Sequence, residues 1–195
     1  MFCIRTPSLD EIQEFITRQQ SSAFSYSEVG ASAKEMPNLY NVDRNRILLG
    51  SGEVTWRRAV WAIRGWEMFN MPWIRLCWPT IPIQVGRDVA VLVHHFGFCS
   101  LNAARIVYVI DEDGPVARFG FAYGTLMEHA ERGEERFTVE WNRAEDQVWY
   151  SIVAFSVPNE ALAKLAYPLS RMLQRRFGDG SKKAMLLATN MDTRH

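Results

Sequence analysis

At 195 residues the chain has the length of one domain with room for an appendage, and it can bury a core without staples. Its 22 Lys and Arg balance 22 Asp and Glu; a chain without net charge offers no basic field for nucleic acid, and no nucleic-acid partner is expected. The three cysteines, Cys3, Cys77 and Cys99, are odd in number and lack CxxC spacing, which argues against a zinc knuckle or a disulfide framework and reads as reduced thiols of a cytoplasmic protein.

The opening MFCIRTPSLDEIQEF carries acids where a secretory signal needs an apolar run, and no stretch approaches the roughly 18 apolar residues of a membrane span. Ser8 to Glu11 is a capping box before Ile12, Phe15 and Ile16, which predicts an amphipathic helix over 9–19. Gly30 to Asn41 reads as a loop and Arg44 to Leu49 as a strand. Gly50-Ser51-Gly52 is a tight strand-to-helix turn, without the Lys-Ser/Thr ending of a P-loop. A helix follows to about Phe69, with Trp56, Ala59, Val60, Ile63 and Trp66 at helical spacing. Five clear strands come next, Asp88–Phe96, Ala104–Asp111, Ala117–Leu126, Glu134–Trp141 and Gln147–Ser156, with Ile74–Trp78 as a doubtful sixth. Short turns between them, such as Asp111 to Pro115, predict an antiparallel meander. A long helix is expected from Pro158 and Asn159, kinked near Ala166 by Pro168, broken at Gly178-Asp179-Gly180 and followed by a short final helix.

This order, strand, helix, meander and long C-terminal helix, is that of an α+β helix-grip (START-like) fold, a curved antiparallel sheet wrapped around the final helix. A hotdog-like fold, whose main helix precedes the meander, is the rival. The expected organisation is an N-terminal helix and flanking segment over 1–41, a single helix-grip domain over 42–190 and a tail over 191–195.

Candidate functional residues follow from the meander. Phe119, Phe121 and Tyr123 fall on one strand face, and Gly120, Ala122 and Gly124 on the other. That bare face suits something lying close against it. Both faces of Gln147–Ser156 are apolar, so one meets the helix and the other is covered by the N-terminal segment or a partner chain. Phe121, Tyr123, Trp149 and Tyr150 are candidates to line or flank a cavity, against the plainer reading of ordinary core. Arg105 shares a predicted strand face with Val107 and Val109, and Glu135 with Phe137, Val139 and Trp141. Buried charges need partners, so Arg105 and Glu135 pair across the sheet or jointly hold a polar ligand group; a structural ion pair or exposure at a strand end is the alternative. Tyr108, beside Arg105, is counted with this set. His129 lies among acids in a hairpin loop, where it would be solvated, a gate at the cavity mouth, or a general base. His94 and His95 are adjacent in a strand and point to opposite faces, and neither a metal site nor a cofactor motif is expected. Arg171, Arg175, Arg176, Lys182 and Lys183 make the C-terminal helix basic, either a solvated face or a contact with an anionic membrane surface.

The ordered strings NRILLGSGEVTWRRAVWAIRGWEMF, LNAARIVYVIDE, RFGFAYGTL, RGEERFTVEW, VWYSIVAFS and YPLSRMLQRRF resemble an uncharacterised bacterial and plant family, catalogued as a domain of unknown function. The resemblance covers about residues 22–188. It implies no catalytic residues, but it points to the helix-grip superfamily of START and birch-pollen-allergen domains, whose members bind lipids, sterols, polyketides or hormones, some being cyclases. This chain departs from the family pattern at Ala104, at Leu126 to Ala130 and at Val157. The resulting expectation is a small hydrophobic or amphipathic ligand held between sheet and C-terminal helix. An enzyme of the same fold and a non-catalytic protein-interaction module are the alternatives. The sequence leaves oligomeric state open.

Overall fold

The computed structural model describes residues 1–95, 97–158 and 167–190, with residues 167–170 by backbone alone. Among these residues, eight strands, β1 (Phe2–Cys3), β2 (Asn41–Gly50), β3 (Ile74–Leu76), β4 (Asp88–His94), β5 (Cys99–Glu112), β6 (Val116–Thr125), β7 (Glu131–Asn142) and β8 (Gln147–Pro158), join three α-helices, α1 (Leu9–Gln19), α2 (Gly52–Arg64) and α3 (Tyr167–Asn190). All strand pairs are antiparallel, in the order β2-β8-β7-β6-β5-β4-β3, with β1 added to β5. Helices α2 and α3 pack together on one face of this sheet. This is the helix-grip arrangement; in the hotdog alternative the sheet would wrap α2 instead.

The meander forms because β6, β7 and β8 alternate with period two and are joined by short turns. Phe121, Phe137 and Ile152 stand opposite one another across three strands. They meet Ile63, Trp66, Phe69 and Met185 in the larger of two cores. Burying each such side chain contributes roughly 1.5–3 kcal/mol. Aromatic edges organise this layer, with ring centroids of Trp66 and Phe121 4.8 Å apart and those of Phe121 and Phe137 5.4 Å apart.

The outer face carries the second core. Its inputs are Ile12, Phe15 and Ile16 of α1 against Ala90, Leu92, Leu101 and Ala103 of β4 and β5. The capping box at Ser8 is present and starts α1 where the sequence predicts. Of the two coverings considered for the outer face, the N-terminal segment supplies one: Tyr26 and Tyr40 stack edge-on against Phe155 of β8. The bare face of β6 is occupied in the same way, since a Cβ at Gly124 would overlap the Tyr26 hydroxyl. Gly120 serves strand approach instead; a Cβ there would overlap the Phe137 carbonyl oxygen of β7.

Several elements differ from expectation. The first long helix stops at Arg64, because Gly65 leaves the helix and Trp66 takes a left-handed φ of 58°, with its indole N–H donating to Ile81 O at 3.0 Å. Strand β5 starts at Cys99, five residues before the predicted edge. Helix α3 runs unbroken through Gly178 and Gly180. Those glycines cost helix propensity, about 1 kcal/mol each, but they let the helix approach closely, since Cβ atoms would crowd the Asn45 amide at Gly178 and Met71 Sδ at Gly180. The expected helix start at Asn159 and kink near Ala166 lie outside the described residues. Cys3 and Cys99, remote in sequence, sit opposite each other across β1 and β5 as free thiols, Sγ to Sγ 2.8 Å.

Gly120→Ala is expected to destabilise the fold by more than about 2 kcal/mol, because the obstruction is backbone on a neighbouring strand. Urea unfolding checks it; a midpoint within error of the parent would contradict the close strand approach.

Candidate functional site

Strand register lines up one row of side chains across the inner face. Asp43, Ala154, Glu135, Tyr123 and Ile106 stand opposite one another in turn on β2, β8, β7, β6 and β5. Along this row and on toward β3 and β4 lies a cavity of about 290 Å³. One side is apolar, with Phe69, Trp73, Ile74, Val91, Val93 and Phe177. The other is polar, with Asp43, Glu131, Glu135, Ser156 and Gln174. An apolar wall with a few convergent polar groups is the usual make-up of a small-molecule pocket.

Glu135 is the central polar group. Tyr123 donates its phenol O–H to Glu135 Oε2 at 2.8 Å. Glu135 is half-buried and lines the cavity. Burial pushes its pKa up to about 8, and the charges of Glu131 and Asp43 add to the rise against the lowering effect of the Tyr123 hydrogen bond. Burial also holds the Tyr123 phenol well above its ordinary range, so it stays a donor. A carboxyl with this environment carries its proton near neutrality and can give or take it with little driving force.

A hydrogen-bonded rim joins the cavity to α3. Arg171 grips Asp43 with both terminal nitrogens, at 2.5 and 2.7 Å, and donates to Gln174 Oε1 at 2.5 Å. Gln174 Nε2 donates to Glu131 Oε2 at 2.6 Å and to Ser156 Oγ at 2.9 Å, and Ser156 donates to the same Glu131 oxygen at 2.7 Å. The bidentate geometry makes the Arg171–Asp43 pair one of the stronger contacts of its kind.

His129 lines the cavity half-buried, in the turn between β6 and β7. Its Nδ1 accepts the Glu131 backbone N–H at 3.0 Å, which places the ring proton on Nε2. Burial, with the Met1 ammonium adding to it, pushes its pKa down to about 4. It is a neutral imidazole near pH 7, which removes it as a proton donor in its cationic form.

Of the eight residues singled out in the sequence, the structure brings Tyr123, Glu135 and His129 to the cavity. Phe121 and Tyr150 lie deeper in the inner core, Tyr150 sharing a hydrogen bond with Ser181 at 2.7 Å. Trp149 is on the outer face under the Arg46 guanidinium, 4.3 Å from its ring centroid. The expected pairing of Arg105 with Glu135 does not occur, because the two are on opposite faces of the sheet. A bulge between Ile106 and Tyr108 switches the alternation of β5, so Arg105 and Val109 do not share a face as predicted. Arg105 instead binds Asp88 opposite it on β4, Nε to Oδ1 2.6 Å, and donates to the carbonyls of Gln19, Gln20 and Ser22 at the end of α1. Tyr108, past the bulge, shares a hydrogen bond with Ser32 at 2.6 Å on the outer face.

The sequence reading missed Asp43, Glu131, Ser156 and Gln174. They lie on four different elements, β2, β7, β8 and α3, and only register and helix docking bring them together. The signal that was available is the face each shares with Glu135: Asp43 and Ser156 have the same parity across paired strands. The basic α3 residues are partly committed within the chain, Arg171 to Asp43, Arg176 over Trp73 at 4.6 Å and Lys182 to Asp179 at 3.0 Å. Among the described residues, no helix is long and apolar enough to cross a membrane.

Residues 25–184 match the model of a domain of unknown function, DUF1990. A UPF0548 protein of Dictyostelium discoideum is 37% identical over the full length of both chains. A UPF0548 protein of Deinococcus radiodurans is 36% identical, covering 90% of this chain and 92% of its own. Among solved structures, human STARD10 is similar at a TM-score of 0.46 and 10% identity, covering 95% of this chain and 82% of its own.

The two shifted groups set opposite limits on stability. Glu135, raised from 4.5 to about 8, keeps a proton that the unfolded chain has lost, so stability falls as pH rises through that window and levels off above it. His129, lowered from 6.5 to about 4, refuses a proton that the unfolded chain takes up, so stability also falls as pH drops through that second window. Glu135→Gln is expected to remove the alkaline loss, leaving the variant more stable than the parent near about pH 9 and close to it near about pH 5. Denaturant titrations across pH read this, and an unchanged alkaline limb would assign the loss to another group. Arg105→Met should lower hydrogen-exchange protection across α1 by about tenfold or more without altering the cavity; unchanged protection would mean that Asp88 and the helix-end carbonyls do not depend on this guanidinium.

Proposed function

The chain belongs to the DUF1990 family, and we propose that its inner cavity holds a small amphipathic ligand between the sheet and α3. The observation that carries this reading is the cavity's two-sided wall, with Phe69, Trp73 and Phe177 on one side and Glu135, Glu131 and Ser156 on the other. The apolar body of a ligand gains by leaving water against the first side. Its polar end then meets side chains fixed by the rim rather than water. Among the described residues the outer face is covered by α1 and the segment around Tyr26.

A second reading, turnover of that ligand by acid–base chemistry, is favoured by one observation. Glu135 sits inside the cavity with its pKa near the working range and its orientation set by Tyr123. In that reading Glu135→Gln keeps ligand affinity and abolishes turnover. Loss of binding alone favours the first.

Ala154 lies between Asp43 and Glu135 in the row and faces the cavity. Ala154→Phe fills that space from the rigid part of β8. Octan-1-ol, a small neutral amphiphile, is expected to bind the parent in ligand-observed NMR and to lose at least about tenfold in affinity for this variant, roughly 1.4 kcal/mol. Equal binding to both proteins, or no binding to the parent, would refute the cavity reading. Native mass spectrometry of protein purified from cells is expected to show a co-purifying small molecule that the filled variant lacks.

A further inference from the structure

We infer that the cavity selects a ligand whose polar end is a protonated amine, held by the Glu135 carboxylate with Tyr123 as its positioning partner. This rests on the cavity reading above and names the chemistry of its polar end.

The charge of the wall points there. Asp43, Glu131 and Glu135 bring carboxyl groups to the cavity, and among the described residues no lysine or arginine lines it; Glu134, next to Glu135 on β7, turns its carboxyl to the outer face. The four carboxylates differ in what already satisfies them. Asp43 is neutralised by the two-pronged grip of Arg171. Glu134 accepts from Tyr26, from the Gly30 and Ser32 backbone N–H groups and from the Ser32 hydroxyl. Glu131 accepts from Gln174 and Ser156. Glu135 receives the Tyr123 hydroxyl on Oε2, and among the described residues no hydrogen bond occupies Oε1. It is the carboxyl with spare capacity, and it faces the cavity.

Ligand classes separate on that basis. An anionic end would meet the carboxyl groups of Glu131 and Glu135, while the Arg171 guanidinium at the rim is already committed to Asp43. A neutral hydroxyl could hydrogen-bond to the protonated Glu135 but supplies nothing that favours its ionised form. An ammonium supplies a counter-charge that Glu135 lacks among the described residues, and a buried carboxylate gains most from a close, hydrogen-bonded cation. The opposite wall suits the same class, since Phe69, Trp73 and Phe177 present aromatic surface to an apolar body or to the edge of the cation. The carboxyl is also not required by the fold around it. A Gln at 135 could accept the Tyr123 hydrogen bond, and its other neighbour in the row, Ala154, is apolar.

The test compares three probes of one chain length, octylamine, octan-1-ol and octanoate, by calorimetry and ligand-observed NMR on the parent, Glu135→Gln, Tyr123→Phe and the cavity-filling Ala154→Phe. Octylamine should bind the parent at least about tenfold more tightly than octan-1-ol, with octanoate weakest. Glu135→Gln should erase the preference for the amine and leave octan-1-ol nearly unchanged, Tyr123→Phe should reduce the preference, and Ala154→Phe should weaken octylamine and octan-1-ol together. If octan-1-ol binds the cavity and octylamine binds no better, the amine assignment fails while the cavity reading stands. A preference that survives Glu135→Gln overturns the role of that carboxylate, and an octylamine affinity indifferent to Ala154→Phe marks binding outside the cavity and overturns the assignment. If none of the three binds, both readings fall.

Discussion

A sheet whose two faces are both apolar must be covered on both, and the rest of this molecule is arranged around that requirement. Helices α2 and α3 take the inner face, while α1 and the segment around Tyr26 take the outer one. The outer cover is tight because β6 carries no side chain at Gly124, where the Tyr26 hydroxyl sits. The inner cover is tight only at one end. Where Phe121, Phe137 and Tyr150 meet Ile63, Trp66 and Met185 the space is filled; along the Glu135 row and on toward β3 and β4 lies the cavity.

Two adjacent glutamates show how the same covering problem yields different chemistry. Glu134 and Glu135 are neighbours on β7 and so point to opposite faces. Glu134 meets the N-terminal segment and is wrapped by donors from Tyr26, Gly30 and Ser32. A buried carboxylate so satisfied ties that segment to the sheet, and losing its partners would leave a costly bare charge. Glu135 meets one donor and open space. The polar rim repeats the division along α3: Arg171 and Gln174 hold the cavity end through hydrogen bonds, whereas Met185 holds the far end through apolar packing.

How much of this is readable from the chain depends on whether the signal is periodic. The alternation of Phe119, Phe121 and Tyr123 against Gly120, Ala122 and Gly124 is periodic, and the structure follows it across β6. So is the stripe of α1 and the order of the meander. Arg105 was misplaced because a single bulge before Tyr108 moves everything beyond it to the other face, and nothing in a run of β-branched residues marks where a bulge falls. Gly178 and Gly180 read as a helix end because glycine is costly inside a helix; the close approach to Asn45 and Met71 that offsets the cost is a tertiary fact. Asp43 and Gln174 were illegible for the same reason, being 131 positions apart by subtraction of their numbers yet joined through Arg171.

Glu135 is where local preference and the overall fold disagree most sharply. The inner-face residues that follow it on β7, Phe137 and Val139, belong to the apolar core, and Tyr123 could be satisfied by an uncharged acceptor. A carboxyl placed there instead has its proton held on by burial, up to about 8, and the folded chain bears that cost at every pH where the unfolded chain would ionise. Departures of this kind from an otherwise consistent design concentrate at functional sites, because a stabilising substitution is available and the fold does not need the expensive one. The cavity gives the departure its meaning: a carboxyl that folding alone does not explain, held by the Tyr123 hydroxyl, lines the space that packing leaves open.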